Sequence, residues 1–138
     1  VIAEFARVLH PQGVAVLVTK SADSYSELDA LLASTGLDPQ APYRESLYAA
    51  AHSGNVAAIV ASGLDVLHVE HEDHGFRFTD LAHVAAYVAT NPKYHLAPGL
   101  RGDPTSIAEA LRARLPEAPV TASSTITYVV ARPPGVRR

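Results

Sequence analysis

The sequence of 138 residues contains no cysteine. Disulfides and cysteine-held metals are therefore excluded. It contains no methionine either, and Val1 opens inside a helical pattern, so the sequence reads as the continuation of a longer chain. No apolar run approaches the roughly 20 residues a membrane-spanning helix needs. No charged-then-apolar leader with a cleavage site precedes the first element. These absences lead to the expectation of a cytoplasmic chain with no membrane partner. Positive charge is also short: 11 Lys and Arg stand against 14 Asp and Glu, a formal net charge of −3. That balance argues against a nucleic-acid or anionic-membrane surface. The basic residues Arg132, Arg137 and Arg138 are too few to reverse it, and the tail over 132–138 is expected to be disordered. Finally, no Gly-x-Gly occurs anywhere, although the chain has eight glycines.

What is present suits one domain: 48% of residues are hydrophobic and 18% charged. Val1, Phe5, Val8 and Leu9, joined by Ile2, make a helical stripe, stopped by His10-Pro11-Gln12-Gly13. Val14 to Val18 follows as an uninterrupted apolar run, the pattern of a strand covered on both faces. Ser24 and Glu27 have capping-box spacing before the helical face Leu28, Leu31 and Leu32, and Gly36 ends that helix. Tyr43 to His52 reads as a weak helix, and Val56, Ile59 and Val60 as another short apolar face. Asp65 to Glu70 reads as a strand and Gly75 to Phe78 as a separate extended piece. Thr79 is placed to cap a helix whose buried face is Leu81, Val84 and Val88, ended by Asn91-Pro92. Asp103-Pro104 opens the next helix, lined by Ile107, Leu111 and Leu115. Thr125 to Ala131 is the closing strand. Helices alternating with strands define an α/β fold.

Several of these segments resemble one family. Glu4 to Gly13 followed by Val14 to Val18 is similar to the late helix–turn–strand of class I S-adenosylmethionine-dependent methyltransferases. His10 and Gln12 stand where a basic residue and a second glycine are usual. The pattern Ser24 to Leu32 resembles the next helix in one bacterial subgroup. Phe76 to Asp80 with Val84 and Tyr87, then Pro92-Lys93-Tyr94, is similar to that subgroup's lid. Ser124 to Pro133 resembles the final antiparallel strand. The resemblance covers about residues 1–35 and 64–134.

It implies the C-terminal portion of a doubly wound, Rossmann-like sheet: three strands with the last antiparallel to the others, and a helical lid over about residues 75–98. It also implies methyl transfer from S-adenosyl-L-methionine to a small-molecule or peptide acceptor, with this chain supplying the substrate-side half. The family holds its cofactor on a glycine-rich turn that is missing here, so no cofactor-binding residue is assigned. The other reading is a non-catalytic half-domain or interaction subunit of a split enzyme, able to form a homodimer or to pair with the missing half.

Ligands of open parallel sheets sit at the carboxyl ends of strands, which puts Thr19, Lys20 and Ser21 at a pocket rim, with Tyr25 in reach. Lys20 and Ser21 are the substrate-contact candidates there; a solvated loop with a capping serine is the plain alternative. On or after the proposed lid helix stand His83, Tyr87, Tyr94 and His95. Tyr94 and His95 are assigned to substrate binding, and His83 or His95 has the chemistry of a general base. Packing and surface roles are the alternative for each. His68, Glu70, His71, Glu72, Asp73 and His74 have metal-ligand chemistry, but alternation along a strand splits them between two faces. No metal site is therefore assigned.

Overall fold

A computed structural model of the chain describes residues 1–135. Arg137 and Arg138 of the expected tail lie outside the described residues. Arg132 ends the last strand, and the Gly135 N–H donates to Asp65 Oδ2 at 3.0 Å.

The elements run α1 (Ile2–Val8), β1 (Ala15–Lys20), α2 (Ser26–Ser34), a 3-10 turn (Ala41–Tyr43), α3 (Val56–Ala61), β2 (Asp65–Phe78), α4 (Leu81–Thr90), α5 (Pro104–Arg112) and β3 (Val120–Arg132). The fold is a mixed α/β one with an open three-stranded antiparallel sheet in the order β1-β3-β2. The closing strand is thus central, and each of its neighbours runs against it. The β1–β3 register pairs Ala15 with Ala131 and continues to Lys20 with Ile126.

The described chain divides into two compact units: residues 1–22, 47–74 and 124–135 form the first, and residues 23–46 and 75–123 the second. The first has its own core of Val56, Val60, Leu64, Val129 and Ala131, with Ala15 and Leu17 of β1 and Ile2 and Ala6 of α1 packed on it. Side chains alternate across a strand, so the odd positions of β1 face this core and the even positions face away. Val14, Val16 and Val18 are accordingly 56%, 60% and 58% exposed. The uninterrupted apolar run predicts cover on both faces; among the described residues only one face has it. Gly63 packs closely on α1: a Cβ there would stand 3.0 Å from Ile2 Cγ2, and that side chain would have to shift to accommodate it.

The second unit is helical around a larger core. Leu28 and Leu32 of α2, Leu81, Val84, Ala85 and Val88 of α4, and Ile107, Ala108 and Leu111 of α5 are buried together with Phe78. The 3.6-residue spacing read from the sequence selects Leu28, Leu32, Leu81, Val84, Val88, Ile107 and Leu111 among these, while Leu31 and Leu115, read on the same faces, are only partly buried. Asp103 caps α5 as expected, accepting from the Ser106 N–H and hydroxyl. These bonds, the hydroxyl first, hold its carboxyl below the ordinary value.

Four local expectations need correction. The cap of α2 is Tyr25 and not Ser24; Glu27 accepts from the Ser123 N–H and hydroxyl instead of closing a capping box. Tyr25 adopts the left-handed region (φ 59°), which costs a non-glycine residue about 1–2 kcal/mol. Its N–H is held by Ser123 O, and its ring packs near those of Phe76, Phe78 and Tyr87. Tyr43 ends the 3-10 turn and residues 44–52 are a loop, not a helix. The two extended pieces at 65–70 and 75–78 are one 14-residue strand, β2. The cap of α4 is Asp80, not Thr79: its carboxylate accepts from the His83 N–H at 2.8 Å.

Candidate functional site

The four assigned contact residues fall in the two units. Lys20 and Ser21 belong to the first, at the end of β1. There the loop after the 3-10 turn is tied to the strand end: Ser53 N–H donates to Lys20 O, and Thr19 Oγ1 donates to Ala51 O at 2.8 Å. Ser21 exchanges bonds with Thr125, its N–H donating to the carbonyl and its Oγ accepting from the N–H. Asp73 accepts from Thr125 Oγ1 at 3.2 Å. Lys20 and Ser21 are both half-buried. The Ser21 hydroxyl is therefore part of the edge joining β1 to β3.

Tyr94 and His95 belong to the second unit, and they line one open cleft of about 500 Å³. The end of α4 supplies Thr90 and Asn91 to its wall, and the following loops supply Leu96 and Arg101. Beneath it lies a buried polar network. Asp29, 5% exposed, accepts from Lys93 Nζ and from the Tyr94 hydroxyl, both at 2.7 Å. Asp38, 2% exposed, accepts from Arg44 Nη1 at 2.6 Å, Arg44 Nη2 at 3.0 Å and the His95 N–H at 2.9 Å. Arg44 Nη1 also donates to Lys93 O. Each buried carboxylate thus has a cation and a further donor, as a low-dielectric site demands.

This network fixes the chemistry of the cleft. Burial, and then the bond to Asp29, push the Tyr94 phenol well above its ordinary value. Tyr94 is a proton donor committed to Asp29. Burial alone would raise Asp38, but the Arg44 hydrogen bond and charge, with the His95 N–H, hold it below the usual carboxylate value. His95 is pinned through its backbone while its ring stands exposed. The His83 ring is engaged within its own segment. Its Nδ1 accepts from the Thr79 N–H at 3.1 Å, and its ring packs edge-on to Phe76 and Phe78.

The proposed lid segment carries much of this unit's core: Phe78, Leu81, Val84, Val88, Tyr94 and Leu96 are all buried. The histidine-rich stretch of β2 is spread along the strand. His68 Nε2 stands 3.9 Å from Glu70, and His71 Nδ1 is 2.7 Å from the Thr127 hydroxyl. Among the described residues no three His, Asp or Glu side chains converge as metal ligands.

The separation of roles at Tyr94 and His95 has a measurable form. Tyr94→Phe should cost about 1–2 kcal/mol, because Asp29 loses a donor in a buried setting. His95→Ala should leave urea unfolding within about 0.5 kcal/mol, since only its exposed ring is removed. Equal losses from the two variants would mark the His95 ring as a packing group.

Arg101 is the cleft residue that sequence reading passed over. The turn signals Pro98-Gly99 and Gly102-Asp103 around it were the available sign of an exposed loop tip. What fold and geometry define is a mixed α/β chain with an open antiparallel sheet and a polar cleft. No protein-family model matches it, and no match is found among curated proteins or solved structures.

Proposed function

We propose that this chain supplies the substrate-side half and lid of a class I S-adenosylmethionine-dependent methyltransferase, acting on a small-molecule or peptide acceptor. The observation that supports the reading is strand order. The family resemblance puts the closing strand antiparallel beside the first strand, and β3 runs antiparallel beside β1 in the register given above. The open edge of β1 and its exposed valines are in keeping with a sheet that extends past β1. Lys20 and Ser21 stand at the carboxyl end of β1, where ligands of such sheets bind.

The residues present do not fit the cofactor itself. They offer no glycine-rich turn to bring backbone N–H groups close to it. No step is therefore assigned to it on these residues. What this half would contribute is acceptor positioning, which can supply most of the rate in an in-line transfer. The exposed stripe Val14, Val16 and Val18 also favours a second reading, an interaction subunit without catalysis.

Two measurements separate these readings. The polypeptide from the whole open reading frame should bind S-adenosylmethionine in calorimetry and transfer label from it to an acceptor pool. Residues 1–138 alone should give no binding heat. A full-frame product that neither binds nor transfers would overturn the methyltransferase reading in favour of the interaction subunit. Micromolar binding by residues 1–138 alone would overturn the assignment of this chain to the substrate side.

A further inference from the structure

We infer that the cleft of the second unit is a binding site for the carboxylate of a small organic acid, with Arg101 as the anchor. The inference is independent of methyl transfer. The cleft volume of about 500 Å³ lies within the roughly 300–1,000 Å³ usual for small-molecule sites. Its lining includes Arg101 and His95, and no acidic residue.

The donors there are under-used. Among the described residues the Arg101 guanidinium makes one hydrogen bond, a long one, 3.4 Å from Nη2 to Leu96 O. A guanidinium carries five N–H donors in a planar fork that matches a carboxylate's two oxygens. The half-buried cations of this unit are spoken for, Arg44 by Asp38 and Lys93 by Asp29, while the exposed Arg77 and Arg114 lie outside the cleft lining. Asp103, close to Arg101 in sequence, has its carboxylate on Ser106. The polar neighbours in the wall are occupied as well. Asn91 donates to the Tyr87 hydroxyl and accepts from the Lys93 N–H, and Thr90 donates to Tyr87 O.

Placement follows from the walls. One wall is the last turn of α4, from Val88 to Thr90, the negative end of a helix dipole. An anion is disfavoured against that wall. The carboxylate therefore belongs beside Arg101, with the exposed His95 ring as a second N–H donor. The remaining apolar surface of Val88, Pro92 and Leu96 suits an aliphatic or aromatic body. The ligand class is an acid with one carboxylate and a compact apolar part.

The test is an NMR titration of the 138-residue chain with phenylacetate, its neutral counterpart phenylacetamide, and inorganic phosphate. Phenylacetate should shift the amides of residues 88–102 saturably, and the amide and phosphate should bind at least about tenfold more weakly. Arg101→Ala should weaken phenylacetate by about tenfold or more at an unchanged melting temperature, and Arg101→Lys should recover part of the loss. Equal binding of acid and amide, an Arg101→Ala variant that binds like the parent, or no saturation up to roughly 10 mM would each overturn the proposal. Phosphate binding as tight as phenylacetate would do so too, by reducing the site to a bare anion contact.

Discussion

Replacing Arg44 by alanine should lower the unfolding free energy by about 3–5 kcal/mol, the range for stripping one partner from a buried ion pair. The size comes from what is left behind. Asp38 is 2% exposed, and without Arg44 it keeps backbone N–H donors but no cation. Arg44 also bonds Lys93 O, so one guanidinium ties the loop at 38–44 to the chain that enters the cleft. Urea unfolding of the parent and of Arg44→Ala measures the loss. The double change Asp38→Asn with Arg44→Met should cost less than Arg44→Ala alone, because no uncompensated charge remains.

The same pair sets an acid limb. Asp38 has its carboxyl held below the ordinary value of 3.8 in the folded chain. The unfolded chain then binds the more protons in that window, so stability rises with pH across it. The contribution is fully present above about pH 4 and fades as pH falls through the folded value. Arg44→Ala should therefore show a flatter loss than the parent as pH falls below about 4. Identical acid limbs would mean that Asp38 draws its stabilisation from the backbone alone.

At the edge of the sheet, residues 1–138 should self-associate as concentration rises, and Val16→Lys with Val18→Lys should keep them monomeric. An edge strand offers unpaired N–H and C=O groups, and the exposed Val16 and Val18 of β1, with Val14 just before it, add an apolar stripe on one face. Lysine at such positions blocks edge pairing without touching the core, since Ala15 and Leu17 do the packing. Light scattering reads the mass, and hydrogen exchange across residues 14–18 reads whether the edge is paired. A parent chain that stays monomeric with protected amides there would show that its edge is already closed.

How much of this was legible depended on the range of the interaction. The faces of α4 and α5 were readable because Leu81, Val84 and Val88, and Ile107 and Leu111, repeat at helical spacing and are buried as a set. Asp103-Pro104 marked its helix start by a local rule, and it holds. The segment 43–52 misled because its residues have helical propensity without a repeating apolar face. Its backbone is used elsewhere, Ala50 O by Asn55 and Ala51 O by Thr19. β3 shows a further limit. Its buried positions are Ala122 and Ser124, then Thr127, Val129 and Ala131, so the alternation changes phase midway. A single period fitted to the strand cannot follow that change.

The candidate site was legible only in part, and for the same reason. Tyr94 and His95 were found on the strength of a family pattern. Asp29 and Asp38, which decide what those residues can do, were not. Asp29 sits on the flank of the α2 apolar face, and Asp38 begins what reads as a Pro-rich linker. Their partners Lys93 and Arg44 lie at separations of 64 and 6 residues, fixed by packing and not by any local spacing. Arg101 carried even less signal, because nothing in a loop arginine announces that its donors are unspent.

The Asp29–Lys93 bond also gives the chain a chemical reporter. The sequence has two lysines, Lys20 and Lys93. The Lys93 ammonium is locked against a buried carboxylate, its side chain only 12% exposed. An acylating reagent needs the free amine, so Lys93 reacts only when the second unit opens. Lys20, half-buried on β1, is modified on its own schedule. The relative labelling of the two amines, followed by mass spectrometry, would therefore time the opening of one unit against an internal standard.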